Sequence, residues 1–192
     1  MSAPFRILAI PGSLRRGSVN RALLEAARDE APDAVEVALW GGLGDVPLYN
    51  EDIDTAQPPA AVAELRRLIG EADAVLVSTP EYNSSLPGGL KNALDWASRP
   101  YGVSALVAKP VAVIGASPSS FGAAWAQAEG RKVIAASGGR VLEDGLSFSK
   151  AKDRIGEDGR VKADDPVRAE LGALLTKLVE LARTPLDDDE AA

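Results

Sequence analysis

The sequence of 192 residues contains no cysteine and no histidine. Without cysteine there is no disulfide, no thiol nucleophile and no thiolate metal site. Without histidine the chain lacks the commonest general base and metal ligand. A Ser-His-Asp hydrolase is therefore excluded. Any redox chemistry must be carried by a bound cofactor. A basic field is also missing. Lys and Arg number 21 against 28 Asp and Glu, a net charge of −7, and Asp187, Asp188, Asp189 and Glu190 crowd into the end of the chain. Such a balance gives no electrostatic footprint for nucleic acid or anionic lipid. Long apolar runs are absent as well. The longest charge-free stretch, Pro110 to Ala128, is broken by Pro118, three serines and Gln127, which does not suit a membrane span. Met1 to Arg6 lacks the shape of a signal peptide and runs straight into an apolar segment, so the expected location is the cytoplasm.

What is present is ordinary for one soluble domain: 46% hydrophobic and 26% charged residues. A single domain is expected over 1–183, followed by an acidic, disordered tail over 184–192. Along the chain, strands alternate with helices. Phe5 to Ile10, Ala34 to Leu39, Ala74 to Ser78, Pro110 to Ile114 and Arg140 to Leu142 read as strands. Helical spacing of apolar residues runs over 18–30, 60–69, 86–97, 121–136 and 167–181. Residues 40–59 are rich in turn formers and read as a long loop, and 144–165 is polar and poorly patterned. Continuous apolar strands between helices imply a parallel sheet covered on both faces. The expected fold is α/β, a flavodoxin-like three-layer sandwich with a five-stranded parallel sheet in the order 2-1-3-4-5. Ligands of such sheets sit beyond the strand carboxyl ends, between strands 1 and 3.

Three loops follow those strand ends. The first, Gly12 to Asn20, joins strand 1 to a helix. It offers free helix N–H groups, the donors Ser13, Ser18 and Asn20, and the charge of Arg15. It suits a phosphate, although a plain strand-to-helix turn capped by Ser18 explains the same residues. Position 18 is Ser rather than the Lys of a P-loop, and no GxGxxG is present, so a mononucleotide phosphate fits better than a dinucleotide. The second loop, Thr79 to Gly89, is stiffened by two prolines and presents backbone donors and Tyr82 to a flat heterocycle, or serves only as a connection. The third, Gly115 to Gly122, carries Ser117 and further small polar residues that edge a pocket or cap a helix.

Gly12-Ser-Leu-Arg-Arg-Gly-Ser-Val-Asn20 and Thr79-Pro-Glu-Tyr-Asn-Ser-Ser-Leu-Pro-Gly-Gly-Leu-Lys-Asn-Ala-Leu-Asp-Trp96 together resemble the NADPH-dependent FMN reductase family, which includes chromate, quinone and azo-dye reductases. Pro47-Leu-Tyr49 is similar to the same family. The resemblance implies bound FMN, with its phosphate on Ser13, Arg15, Ser18, Val19 and Asn20. It places the isoalloxazine along Pro80, Glu81, Tyr82 and Asn83, with Ser117 on the other side. It further implies hydride transfer from NADPH or NADH to the flavin N5, then reduction of a quinone, flavin, azo compound or chromate, in a homodimer or homotetramer. No catalytic acid or base and no metal ligand is expected. Glu81 reads as a solvated charge or ion-pair partner. A flavodoxin-like electron carrier that does not oxidise NAD(P)H directly is the alternative. Ser117-Pro-Ser-Ser-Phe121 departs from the glycine-rich stretch common in the family and bears on the second-substrate pocket.

Overall fold

The computed structural model describes residues 3–186. Strand β1 (Phe5–Pro11) leads into α1 (Val19–Asp29), followed by β2 (Val35–Leu39), α2 (Ala60–Glu71), β3 (Ala74–Thr79) and α3 (Gly88–Ala97). Then come β4 (Pro110–Ala116), α4 (Ala124–Ala136), the two short strands β5 (Arg140–Val141) and β6 (Ser147–Phe148), the single turn α5 (Ala151–Arg154) and α6 (Val167–Arg183). All strand pairs are parallel, in the order β2-β1-β3-β4-β5. This is the expected α/β fold and strand order.

Alternation along each strand divides the core between the two faces of the sheet. Ile7, Ala9, Leu76 and Ile114 point to the face covered by α1 and α6, where Leu23, Leu171, Leu175 and Leu178 are fully buried. Leu8, Ile10, Val75, Val77 and Val113 point to the other face, against Leu65, Ile69, Leu90, Leu94 and Ile134 of α2, α3 and α4. The helix after β1 thus packs on one face and the helix after β3 on the other. Because the chain diverges from two neighbouring strands, a crevice opens at their carboxyl ends.

Two expectations are refined. The fifth position is shared: β5 pairs with the start of β4 and β6 with its end. Between them, a Cβ on Gly145 would lie 2.8 Å from Gln127 Oε1 and 2.9 Å from Arg131 Nη1, so the chain there runs hard against α4. The segment that reads as unpatterned therefore holds β6 and α5. Helix α4 starts at Ala124 rather than at Phe121, because Gly122 and Ala123 take left-handed conformations, with φ of 56° and 63°. Of the expected acidic tail, residues 187–192 lie outside the described residues.

The long loop after β2 is pinned to α3. Pro47 O accepts from Asn92 Nδ2 and Trp96 Nε1, both at 2.8 Å, and Tyr49 N donates to Asn92 Oδ1 at 2.8 Å. The Tyr49 ring meets buried Trp96 edge-on at 4.8 Å. These contacts give Pro47-Leu-Tyr49 a structural role.

Candidate functional site at the carboxyl edge of the sheet

The loop after β1 turns across α3 at Gly12. Its N–H donates to Ser78 O at 2.8 Å, and a Cβ there would come within 2.8 Å of Leu90 Cδ2. Gly17 takes a φ of +64°, which favours glycine. Ser18 then caps α1, its Oγ accepting from Arg21 N at 3.3 Å. The N–H groups of Val19 and Asn20 have no acceptor among the described residues, as expected of a helix's first turn. The Arg15 side chain is exposed and donates to Gly17 O at 3.0 Å.

The second loop contains a tight two-residue turn. Tyr82 and Ser85 exchange backbone hydrogen bonds of 3.1 Å, and Asn83 and Ser84 between them both have positive φ, 54° and 59°. Type I′ turns need that conformation at both central positions, and asparagine tolerates it well. Two carboxylates lace this loop to α4. Glu81 Oε2 accepts from Trp125 N at 3.0 Å and Ala126 N at 3.1 Å, supplying the cap that α4 lacks from its own side chains. In return Glu129 Oε2 accepts from the Ser85 hydroxyl and from Leu86 N at 3.1 Å. Those two donors, the Ser85 hydroxyl foremost, hold the Glu129 carboxyl below its ordinary value. Glu81 is therefore neither a solvated charge nor an ion-pair partner; it is a helix cap supplied from a distance.

The third loop is folded by its own serines. Ser119 N donates to Ser117 Oγ at 3.1 Å, and Phe121 N to Ser119 Oγ at 3.3 Å. The Phe121 and Trp125 rings meet at a tilt of 59° with centroids 4.8 Å apart and stay 58% and 50% exposed.

These loops enclose a cavity of about 290 Å³ at the crevice between β1 and β3. Ser13, Arg15, Ser18, Val19, Asn20, Pro80, Glu81, Tyr82 and Ser117 all line it. Asn83 does not; it sits at the exposed tip of the turn. Tyr82, Ser13 and Arg15 also line an adjoining cleft of about 220 Å³ that reaches Pro87, Gly88 and Gly89 at the start of α3. Asn20 holds the centre of the arrangement. It is 1% exposed, its Nδ2 donates to Ala116 O at 3.1 Å, and its Oδ1 accepts from Ala116 N at 3.0 Å and Ser78 Oγ at 2.9 Å. One amide thus ties α1 to the ends of β3 and β4, where the other two loops begin. Sequence reading singled out Asn20 as a ligand donor and missed this tie.

It also passed over Lys152 of α5, which lines the same cavity. The residue lies in the stretch without periodicity, and only the β6–α5 path brings it there. A larger cavity, about 440 Å³, lies at the opposite ends of α3 and α4 against Arg99 and Tyr101. There Arg99 donates to Tyr49 Oη at 3.3 Å, and neither Arg99 nor Tyr101 lines the carboxyl-edge cavity. No cluster of potential metal ligands occurs among the described residues, and no helix there is long and apolar enough to cross a membrane.

Comparison with known proteins agrees with this geometry. The family model for NADPH-dependent FMN reductase matches residues 5–153. An NAD(P)H-dependent FMN reductase of Pseudomonas aeruginosa is 39% identical over 178 residues, 91% of this chain and 95% of that protein. A quinone reductase of Pseudomonas putida is 46% identical over 122 residues, 64% of this chain; the chain spans 65% of that relative's length. Among solved structures, the flavoenzyme NAD(P)H:(acceptor) oxidoreductase of Paracoccus denitrificans superposes with a TM-score of 0.82 at 36% identity, covering 92% of this chain and 96% of that one. A flavodoxin of Pseudomonas aeruginosa, at 19% identity and a TM-score of 0.57, shares the fold alone. With a family match over most of its length and both loop motifs meeting at one cavity, the chain belongs to the NADPH-dependent FMN reductase family.

Proposed function

We propose that the protein is an FMN-dependent NAD(P)H oxidoreductase that reduces a small acceptor such as a quinone, flavin, azo compound or chromate. The observation that carries this reading is the cavity at the switch point, where the phosphate-loop residues and the β3 loop line one space. The donor set suits a flavin mononucleotide. Ser13, Ser18, Arg15 and the free N–H groups of Val19 and Asn20 line it beside the positive end of the α1 dipole. Pro80, Glu81 and Tyr82, on a loop tied to α4 through Glu81, line the same space together with Ser117 of the third loop.

FMN, held by these residues, would supply the redox chemistry between NAD(P)H and the acceptor. The chain's contribution is placement. The Asn20 tie fixes the three loops relative to one another, and the Glu81 and Glu129 caps hold the β3 loop against α4. Glu81 lines the cavity with its carboxylate already committed to two backbone donors, so it is assigned no proton transfer. A cytoplasmic location is part of the same proposal. A homodimer or homotetramer is the assembly that best fits the half-exposed Tyr82, Phe121 and Trp125 around the site.

The relatives named as reductases favour an enzyme over a flavodoxin-like carrier. Anaerobic mixing of the FMN-loaded protein with NADPH, and separately with NADH, tests this. Direct reduction by either donor supports the enzyme, whereas reduction only through a partner reductase would replace it by the carrier.

A further inference from the structure

Lys152 stands in the cavity wall with no ion-pair partner among the described residues. Arg15, which lines the same cavity, has only the neutral Gly17 carbonyl as a partner for its guanidinium among the described residues. The carboxylate that lines this space, Glu81, is spent on the first turn of α4. Two cations therefore share one cavity with the N-terminus of α1, and neither pairs with a carboxylate among the described residues.

The segment bearing Lys152 is built. Ser117 N donates to Phe148 O at 3.1 Å, Lys150 N to Ser119 O at 2.9 Å and Ala151 N to Ser117 O at 3.1 Å, so residues 148–151 are stitched to the third loop. Lys150 is left-handed, with a φ of 49°, which turns the chain into α5. On the far side, the Arg154 guanidinium lies over the Phe148 ring at 4.2 Å and pairs with Asp165, itself almost buried. The turn that carries Lys152 is thus anchored at both ends.

We propose that Lys152 is a second cation for the phosphate of the bound mononucleotide, delivered by the segment after the fifth strand position. A phosphate monoester carries close to two negative charges at neutral pH, with a second pKa of about 6. Arg15 neutralises one of them and Lys152 the other. The consequence is selectivity: the pair favours a phosphorylated flavin over the same ring system without phosphate. This rests on the FMN reading above and deepens it.

The test is flavin binding to the apoprotein, followed by quenching of flavin fluorescence, with FMN and riboflavin as probes at low and high salt. Lys152→Ala is expected to weaken FMN binding about 3- to 10-fold, the low end for a charge-assisted contact because the ammonium is exposed. Riboflavin affinity stays at the wild-type value, Lys152→Arg keeps FMN affinity, and the FMN deficit shrinks as salt rises. Lys152→Gln, which keeps most of the stem, is expected to behave like Ala and serves if the Ala variant folds poorly. Unchanged FMN affinity in both neutral variants, or an equal loss for FMN and riboflavin, would overturn the assignment of Lys152 alone. A wild-type protein that binds neither flavin would overturn the FMN reading with it.

Discussion

Asn20→Ala is the most informative single substitution, because the site's geometry hangs on that one amide. Asn20 is 1% exposed, and its partners Ser78 and Ala116 are 0% and 1% exposed. The change removes three hydrogen bonds, each with a net value of about 1 kcal/mol. It also strands the Ala116 N–H and C=O and the Ser78 hydroxyl, each liable to a further cost of about 1–3 kcal/mol. The cavity beside them admits water, which re-satisfies part of that loss, so the total is set at about 3 kcal/mol. For a chain of this length each kcal/mol moves the melting temperature by about 2–4 °C. The apoprotein variant should therefore melt about 6–12 °C below the wild type. FMN affinity should also fall, since Ala116 and Ser78 sit at the roots of the other two site loops. Thermal unfolding of both apoproteins, followed by circular dichroism, checks the first point. If the variant apoprotein melts where the wild type does and only ligand binding suffers, Asn20 is a ligand donor and the tie described here does not stabilise the fold.

Arg15→Ala should weaken FMN binding by about 1–3 kcal/mol, the value of a charge-assisted contact; apoprotein titration reads it, and unchanged affinity would remove Arg15 from the phosphate site. Glu81→Ala should cost about 1 kcal/mol of stability through loss of the α4 cap, while Glu81→Gln, which keeps an acceptor oxygen, should leave turnover per bound flavin near wild type. A Gln variant that binds FMN and is stable, yet inactive, would make Glu81 a chemical participant after all. Gly122→Ala forces a Cβ to 2.7 Å from Ser147 at a φ of +56°; urea unfolding should show a loss of at least about 1 kcal/mol. Asp165 is held below its usual carboxyl value, first by Arg154 and then by the Val167 N–H. Its contribution to stability is present above the unfolded-state value and is lost as pH falls through the lower folded-state value. Asp165→Asn should thus be less stable than wild type near neutrality, with the gap closing toward acid pH in unfolding titrations.

The sheet order was legible because its strands are continuous apolar runs separated by helices with clear periodicity. Ile7 to Ile10, Val75 to Val77 and Val111 to Ile114 are buried on both faces, and that burial is what such runs encode. Most of the cavity lining was legible too, since it lies in two contiguous motifs. What escaped depends on distant partners. Ser147–Phe148 is too short to show a period, and it is a strand only because β4 offers a free edge there. Lys152 reaches the cavity through that pairing. Asn20 and Glu81 were recognised as polar residues near a site, but their roles are set by Ala116, Ser78 and Trp125, each more than 40 positions away. Asn83 belongs to a motif whose tight turn throws its side chain to the tip.

An absorbance spectrum of the purified protein, reloaded with FMN where needed, before and after anaerobic NADPH decides whether the cavity holds a redox-active flavin. The expected result is a protein-bound flavin spectrum that bleaches when the nicotinamide donor is added and recovers when a quinone follows. A protein that stays colourless after incubation with FMN would contradict it, because the cavity between β1 and β3 would then hold some other ligand.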